Sequence, residues 1–133
     1  MVDLALHQGG EPVLLKDIAC RQGVSEKYLS QIVIPLRGAG MVQSVRGAHG
    51  GYKLAEKPEN ITLKQIMEAL DGEIFLVDCV NDMKNCSRVG ICATRDVWSL
   101  LGQKISETLQ AVTLSDLVLM QRQKADNNLM NDI

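Results

Sequence analysis

Residues 15–54 have the sequence LKDIACRQGVSEKYLSQIVIPLRGAGMVQSVRGAHGGYKL. Residues 15–22 are predicted to form a short helix, because their apolar side chains fall on one face, and Gly23 ends it. Ser25 is a favourable N-cap for a second helix that continues through Leu36. A helix, a tight glycine turn and a capped helix together indicate a helix-turn-helix.

A β-hairpin is predicted directly after these two helices. Residues 41–46 contain β-branched valines and favour a strand, the glycine-rich residues 47–51 favour a turn, and residues 52–54 favour the returning strand. This order of elements is that of a winged helix-turn-helix, whose second helix enters the major groove of DNA. The expected fold class is therefore mainly α with a small β-hairpin wing.

The remaining helices are predicted on both sides of this module. Residues 1–7 favour a helix, and a capping box that begins at Thr62 opens another. Residues 93–112 predict a long helix, because apolar residues recur there every three or four positions. Thr113 caps a last helix, which is expected to end before the polar and frayed residues 123–133.

The composition limits the classes of function. The chain has 133 residues, of which 46% are hydrophobic and 23% charged, which fits one soluble domain. It contains no apolar run long enough to span a membrane and no signal peptide, so we expect a cytoplasmic protein without a membrane partner.

The net charge is −2, but residues 15–53 carry six basic and two acidic side chains, a net of +4 that leaves −6 for the rest. A basic module on an acidic body is typical of a DNA-binding head, although ordinary charge scatter gives the same distribution.

The candidate DNA-binding residues lie on the outer face of the second helix and on the wing. Glutamine side chains pair with adenine and lysine side chains with guanine in the major groove, whereas an arginine at a wing tip suits a narrow minor groove. The alternative interpretation is a helix and a hairpin whose polar side chains are simply solvated. The candidates are Lys27, Tyr28, Ser30, Gln31, Arg37, Arg46 and His49.

Three cysteines, Cys79, Cys86 and Cys92, have the spacing C-x6-C-x5-C within residues 73–92, a stretch that lacks helical periodicity. In a helix Cys79 and Cys86 would lie about 10.5 Å apart along the axis, whereas two sulfurs bound to one zinc ion lie within about 4.6 Å of each other. A shared metal centre therefore needs a loop, and turn-forming residues fill this stretch. Metal or cluster ligands, redox-active thiols and buried apolar side chains all remain open from the spacing alone. Cys20, in the middle of a predicted helix, is expected to be a packing residue.

The sequence does not favour an enzyme. It contains no C-x-x-C pair, phosphate-binding loop or nucleophile motif, and its two histidines, His7 and His49, are expected to lie far apart. The residues therefore predict a DNA-binding protein rather than a catalyst.

Several short motifs are specific. They are residues 44–54 (SVRGAHGGYKL), residues 17–19, Ser25 with Tyr28 and Leu29, and residues 36–40. Together they resemble the winged-helix regulator family that includes IscR, NsrR and CymR. The resemblance covers nearly the whole chain, from Met1 to about residue 121, and is closest to the IscR branch.

The resemblance implies a homodimer on a pseudo-palindromic operator in double-stranded DNA, where it represses genes for iron–sulfur cluster assembly. It also implies that the long helix forms the dimer interface, and members of the family usually have about a dozen further residues, some of them basic, before the position of Met1. The apolar stripe that fits this interface consists of Val97, Leu101, Ile105 and Val112. The implied segments are a winged helix-turn-helix DNA-binding domain (1–72), a cysteine-rich cluster-binding loop (73–92), a dimerisation helix with the final helix (93–122) and a flexible tail (123–133).

The resemblance further implies an iron–sulfur cluster held by Cys79, Cys86 and Cys92, with 2Fe–2S favoured over 4Fe–4S. Arg95 stands where the IscR branch has a histidine ligand, and an arginine cannot ligate because it stays protonated. The nearest oxygen donors in the sequence are Asp78, Asp82 and Asp96. The CymR branch implies the alternative, a metal-independent regulator of the same fold that is controlled by a protein partner or by thiol redox state.

Overall fold

The structure is a computed structural model that describes residues 1–7 and 9–132, so Gln8 and Ile133 lie outside the described residues. Its helices are α1 (Val2–His7), α2 (Leu15–Gln22), α3 (Glu26–Gly38), α4 (Leu63–Asp71), α5 (Asp78–Asn81), α6 (Ala93–Ala111) and α7 (Leu114–Asn131). Strands β1 (Val42–Val45) and β2 (Gly51–Leu54) pair antiparallel, and short 3-10 turns lie at Pro58–Asn60 and Met83–Asn85. Among the described residues, no helix combines the length and the apolar character needed to cross a membrane. The mainly helical chain with one hairpin confirms the predicted fold class.

The helix-turn-helix forms because local contacts fix the facing ends of α2 and α3. Gly23 ends α2 in the left-handed conformation (φ +65°), which glycine adopts without steric cost. Ser25 caps α3, and its Oγ accepts a hydrogen bond from the Tyr28 N–H at 3.1 Å. Val33 and Leu36 are buried on the inner side of α3, which leaves its opposite face in solvent.

The wing is anchored to the segment that follows α1. The Val13 N–H donates to the Tyr52 carbonyl at 2.7 Å, and the Tyr52 N–H donates to the Val13 carbonyl at 2.8 Å. Gly51 is required beside this contact, because a Cβ there would lie 2.7 Å from the Val13 carbonyl oxygen. The hairpin is therefore held against the body of the protein instead of standing free.

Reciprocal backbone hydrogen bonds join the start of α4 to the junction between α6 and α7. The Leu63 N–H donates to the Val112 carbonyl at 2.8 Å, and the Leu114 N–H donates to the Ile61 carbonyl at 2.8 Å. Ile61 and Leu114 are almost completely buried, at 1% and 0% exposure, and belong to the same core cluster as apolar residues of α1, α3 and the hairpin. The last helix and the winged module therefore share one hydrophobic core.

Two capping boxes begin at this junction. Thr62 Oγ1 accepts from the Gln65 N–H at 3.2 Å, while Gln65 Oε1 accepts from the Thr62 N–H at 2.9 Å. Thr113 and Asp116 make the equivalent pair at the start of α7, at 3.1 and 2.9 Å. The two helix starts that the sequence predicts at Thr62 and Thr113 are confirmed.

The last helix is longer than its sequence pattern predicts. α7 continues to Asn131 and does not end near Arg122, so the frayed tail expected over residues 123–133 is wrong for residues 123–131. These residues contain neither glycine nor proline, so nothing in the sequence ends the helix. Their polar character reflects their exposure rather than a loss of helical structure.

A buried carboxylate joins α1 to α2. Asp3 is 6% exposed and accepts hydrogen bonds from Arg21 Nε and Nη2, at 3.0 and 2.6 Å, and from Gln22 Nε2 at 2.8 Å. Burial raises the pKa of the Asp3 carboxyl, but the hydrogen bonds from Arg21 and Gln22 and the charge of Arg21 lower it by more, so the pKa lies below its ordinary value. Asp3 therefore stays ionised and holds the end of α2 against α1.

We expect Asp3→Asn to destabilise the fold in a pH-dependent manner. Because the pKa of Asp3 is lowered in the folded state, its stabilising contribution is present above the unfolded-state pKa of about 4 and is lost as the pH falls through the folded-state pKa. Urea unfolding should show the parent to be more stable than the variant near neutral pH, with a difference that shrinks below about pH 4. The exposed Asp126→Asn is the control, and a parent–variant difference for Asp3 that stays constant with pH would contradict the lowered pKa.

Candidate DNA interface and cysteine segment

The outer face of α3 carries the predicted base-contacting side chains in solvent. Lys27, Ser30 and Gln31 are exposed on the first half of the helix, and Tyr28 beside them is 54% exposed. Ser30 Oγ donates to the Glu26 carbonyl at 2.9 Å, so its hydroxyl hydrogen is used within the helix and its oxygen is left to accept. Lys27 and Gln31 therefore present the stronger donors of this face.

A shallow groove connects α3 to the wing. It is lined by Arg37 near the end of α3 and by Gln43 and Ser44 of β1, both of which are exposed. The sequence did not identify Gln43 and Ser44 as DNA-binding candidates. The alternation of side chains along a strand shows which residues share a face, but it does not show that β1 lies beside Arg37. The recognition helix and the hairpin thus form one continuous surface, whose groove also contains the exposed apolar side chain of Ile34.

The cations of this surface have no acidic partners. Lys27, Arg37 and Arg46 form no ion pair with any of the described residues, and Arg46 and His49 are both exposed at the hairpin turn. Unpaired cations on one surface are free to contact phosphate groups, which supply much of the affinity of DNA-binding proteins.

The three clustered cysteines lie in a segment that contains short helical turns. Cys79 lies in α5, Cys86 follows the 3-10 turn Met83–Asn85, and Cys92 is the N-cap residue of α6. All three are free and half-buried. The residue pattern of this stretch predicts a loop, and the structure differs by forming α5 and the 3-10 turn within it.

The structure does not bring these thiols together at a metal centre. Across residues 1–7 and 9–132, no three His, Cys, Asp or Glu side chains form a group that could hold a metal ion. Among the oxygen donors, the Asp82 carboxylate accepts from the Lys84 N–H at 3.0 Å and so caps the 3-10 turn. In this arrangement the residues of the segment do not fit an iron–sulfur cluster.

Arg95 takes part in the cysteine segment in another way. Its Nε donates a hydrogen bond to the Cys79 carbonyl at 3.2 Å, between the first turn of α6 and α5. A guanidinium therefore stands bonded to the backbone at the position where the resemblance implies a histidine ligand.

The isolated cysteine is placed differently from the prediction. Cys20 is exposed on α2, while its neighbour Ala19 is buried, so the expectation that Cys20 packs in the core is wrong. The short helix predicted from residues 15–22 is correct, but its period alone leaves the orientation of a residue at the edge of the apolar face undecided.

The predicted dimer stripe is open to solvent over most of α6. Val97 and Leu101 are 62% and 44% exposed, and Ile105 is half-buried. Val112 follows the end of α6, where its carbonyl accepts from Leu63, so it also belongs to the junction with α4. The exposed Trp98 and Leu100 widen the apolar surface beyond the residues predicted. α6, which lies wholly within the described residues, has no fully buried residue.

A family comparison decides the class of this protein. The family model named Rrf2 and described as an iron-dependent transcriptional regulator matches residues 1–119. The chain belongs to the Rrf2 family.

Individual relatives agree with this assignment. Protein rrf2 of Nitratidesulfovibrio vulgaris is 40% identical over 118 residues, which cover 89% of this chain and 79% of that protein. The structure of CymR, named the global cysteine regulator of B. subtilis, matches with a TM-score of 0.75 and 39% identity over 90% of this chain and 87% of that one. The structure of T. potens IscR matches with a TM-score of 0.74 and 40% identity over 93% of this chain and 80% of that one. This Rrf2-family chain is a transcriptional regulator and not an enzyme, and its similarity to CymR is within 1% identity and 0.01 in TM-score of its similarity to IscR.

We expect Arg46→Ala to weaken operator binding by about 1–3 kcal/mol, because it removes an unpaired cation from the hairpin turn. Lys27→Ala and Gln31→Ala should change sequence preference as well as affinity, since these side chains present donors on the outer face of α3. Titration of labelled duplexes at several salt concentrations measures both effects. Arg122→Ala, an exposed cation on α7, is the matched control. Binding by all three variants at the parental affinity would place the DNA interface elsewhere.

Proposed function

We propose that this Rrf2-family protein is a cytoplasmic repressor that binds a pseudo-palindromic DNA operator as a homodimer. The observation that carries the proposal is the surface formed by α3 and the hairpin, where Lys27, Arg37 and Arg46 are exposed and unpaired in the described structure. A convex helix next to a polar wing suits a major groove and the adjacent backbone or minor groove.

The exposed apolar face of α6 supports the homodimer. Val97, Leu100 and Leu101 are exposed on α6, and clustered apolar side chains in solvent are typical of a protein–protein interface. A twofold axis through paired α6 helices would present two α3 helices to half-sites about 34–36 Å apart, or a multiple of that spacing. Two linked winged modules bind one operator more tightly than a single module does, so each module needs only a small contact surface for specific binding.

For the signal, an iron–sulfur cluster on Cys79, Cys86 and Cys92 is the first proposal, with 2Fe–2S as its type. It is supported by the description of the family as iron-dependent and by the 40% identity to T. potens IscR. The described arrangement of the three thiols does not support it, so the segment 73–92 would have to rearrange to gather them.

The second proposal is regulation through the thiols themselves or through a protein partner. It is favoured by the separate, half-buried and free state of the three cysteines and by the equal similarity to CymR, a cysteine regulator. Oxidation of a thiol in this segment would change its polarity and packing beside α6 without any metal.

Leu101→Lys should convert the dimer to a monomer, because it places a charge in the apolar seam of α6. Light scattering measures the mass, and operator affinity should fall together with dimerisation. Gln110→Lys introduces the same charge about two and a half turns further along α6, on the opposite face of the helix, and should leave the dimer intact. A Leu101→Lys protein that stays dimeric would show that this face of α6 does not form the interface.

Anaerobic purification distinguishes the two signals. A cluster predicts a brown protein whose visible absorption is lost in each of Cys79→Ser, Cys86→Ser and Cys92→Ser but is kept in Cys20→Ser, which changes the exposed thiol on α2. Thiol or partner control predicts a colourless, iron-free protein after attempted reconstitution. Operator titration of the same preparations, reduced and oxidised, then shows which state binds DNA.

A further inference from the structure

The cysteine segment is joined to the rest of the fold by very few hydrogen bonds. Among the described residues, the hydrogen bonds within residues 73–92 otherwise connect positions no more than four apart, such as Asp82 N–H to the Asp78 carbonyl at 2.9 Å. The exception is the bond from Arg95 Nε to the Cys79 carbonyl, which spans sixteen positions in the chain. Among the described residues, this is the hydrogen bond that adds to the packing of α5 against α6.

The position of Arg95 in α6 indicates that the contact is specific. The first turn of a helix carries a partial positive charge, so an arginine there is disfavoured unless another group compensates for it. The Cys79 carbonyl is such a group, because α5 has only four residues and the carbonyls of so short a helix lack partners within it. Arg95 therefore provides a hydrogen-bond donor for an unpaired carbonyl of α5, and the dipole of that carbonyl compensates for the positive charge of Arg95.

The same bond relates the first cysteine to the third. Cys79 provides the acceptor carbonyl, and Cys92 is the N-cap residue of the helix that carries Arg95. A bond between the Cys79 backbone and the first turn after Cys92 limits how far apart the two thiols can move. Cys86, between them, has no such attachment among the described residues.

We propose that Arg95 is the positioning residue of the cysteine segment: its hydrogen bond to the Cys79 carbonyl fastens α5 to α6 and sets the relative positions of Cys79 and Cys92. Release of this bond frees Cys79 together with α5, while the junction at Thr62 and Thr113 keeps α6 in place. This inference rests on the proposed role of the cysteines as the sensing groups, but it does not depend on whether the signal is a cluster or a thiol.

The test is the rate at which each thiol of the full-length, metal-free protein reacts with iodoacetamide, measured by mass spectrometry of the cysteine peptides at constant pH. Arg95→Ala should raise the rate at Cys79 at least several-fold, because local opening of α5 exposes it. The exposed Cys20 is the internal reference and should react at the parental rate. Arg88→Ala removes an exposed cation from the same segment and should leave all four rates unchanged.

Arg95→Lys tests whether Arg95 acts through its hydrogen bond or only through the space that its side chain fills. The lysine ammonium also donates to a carbonyl, although without the planar geometry of the guanidinium, so the Cys79 rate should fall between those of the parent and Arg95→Ala. Amide hydrogen exchange at Asp82 should accelerate in the alanine variant and recover in part in the lysine variant.

Three results would overturn the proposal. They are a parental Cys79 rate in Arg95→Ala, an equal acceleration at the half-buried Cys92, which α6 should hold in place, and a lysine variant that reacts as fast as the alanine variant. Operator binding by the parent is measured separately. Its loss would refute the proposed function, whereas the ratio of thiol rates would still decide the role of Arg95.

Discussion

Thr62 and Thr113, each the N-cap of a helix, face each other across one pair of backbone hydrogen bonds, and this junction fixes how the long helices leave the winged module. Each threonine uses its side chain to cap its own helix while the neighbouring backbone groups pair across the junction. The two most buried side chains beside it, Ile61 and Leu114, exclude water from these bonds. A shift of the junction would therefore break hydrogen bonds, two caps and core packing together.

The junction also determines where the cysteine segment lies. The start of α4 is bonded to the end of α6, and the two helices pack against each other, so residues 73–92 connect them at the other end. α6 has 19 residues and is about 28 Å long, which separates the segment from the junction along most of the helix. A change in the segment can reach the winged module through α4 and α6, which are fixed to it at the far end.

The winged module is structurally independent of the cysteine segment. The DNA surface depends on α2, α3 and the hairpin, whose positions follow from capping, buried apolar residues and the contact of Val13 with Tyr52. The cysteine segment contributes little to that core, since its cysteines are only half-buried and its hydrogen bonds are mostly local. The residues of this segment can therefore vary without loss of the fold.

The sequence alone determined those features whose causes lie within a few residues. Gly23 and Ser25 define the turn before α3, the glycines of residues 47–51 define the hairpin, and the threonines at 62 and 113 start helices because their partners lie three residues further on. Lys27, Gln31 and Arg46 could be named as exposed because the apolar period of α3 and the turn chemistry of the wing assign their faces.

Only the tertiary structure decided the features that depend on groups distant in the chain. Asp3 meets Arg21, Val13 meets Tyr52, and Arg95 meets the Cys79 carbonyl through packing that no local pattern encodes. The same holds for the three clustered cysteines, because their spacing states which thiols are near in sequence but not whether the chain between them folds to gather the sulfurs. Short helical turns formed there instead, since local backbone hydrogen bonds need no distant partner, whereas a shared centre requires three side chains to converge at once.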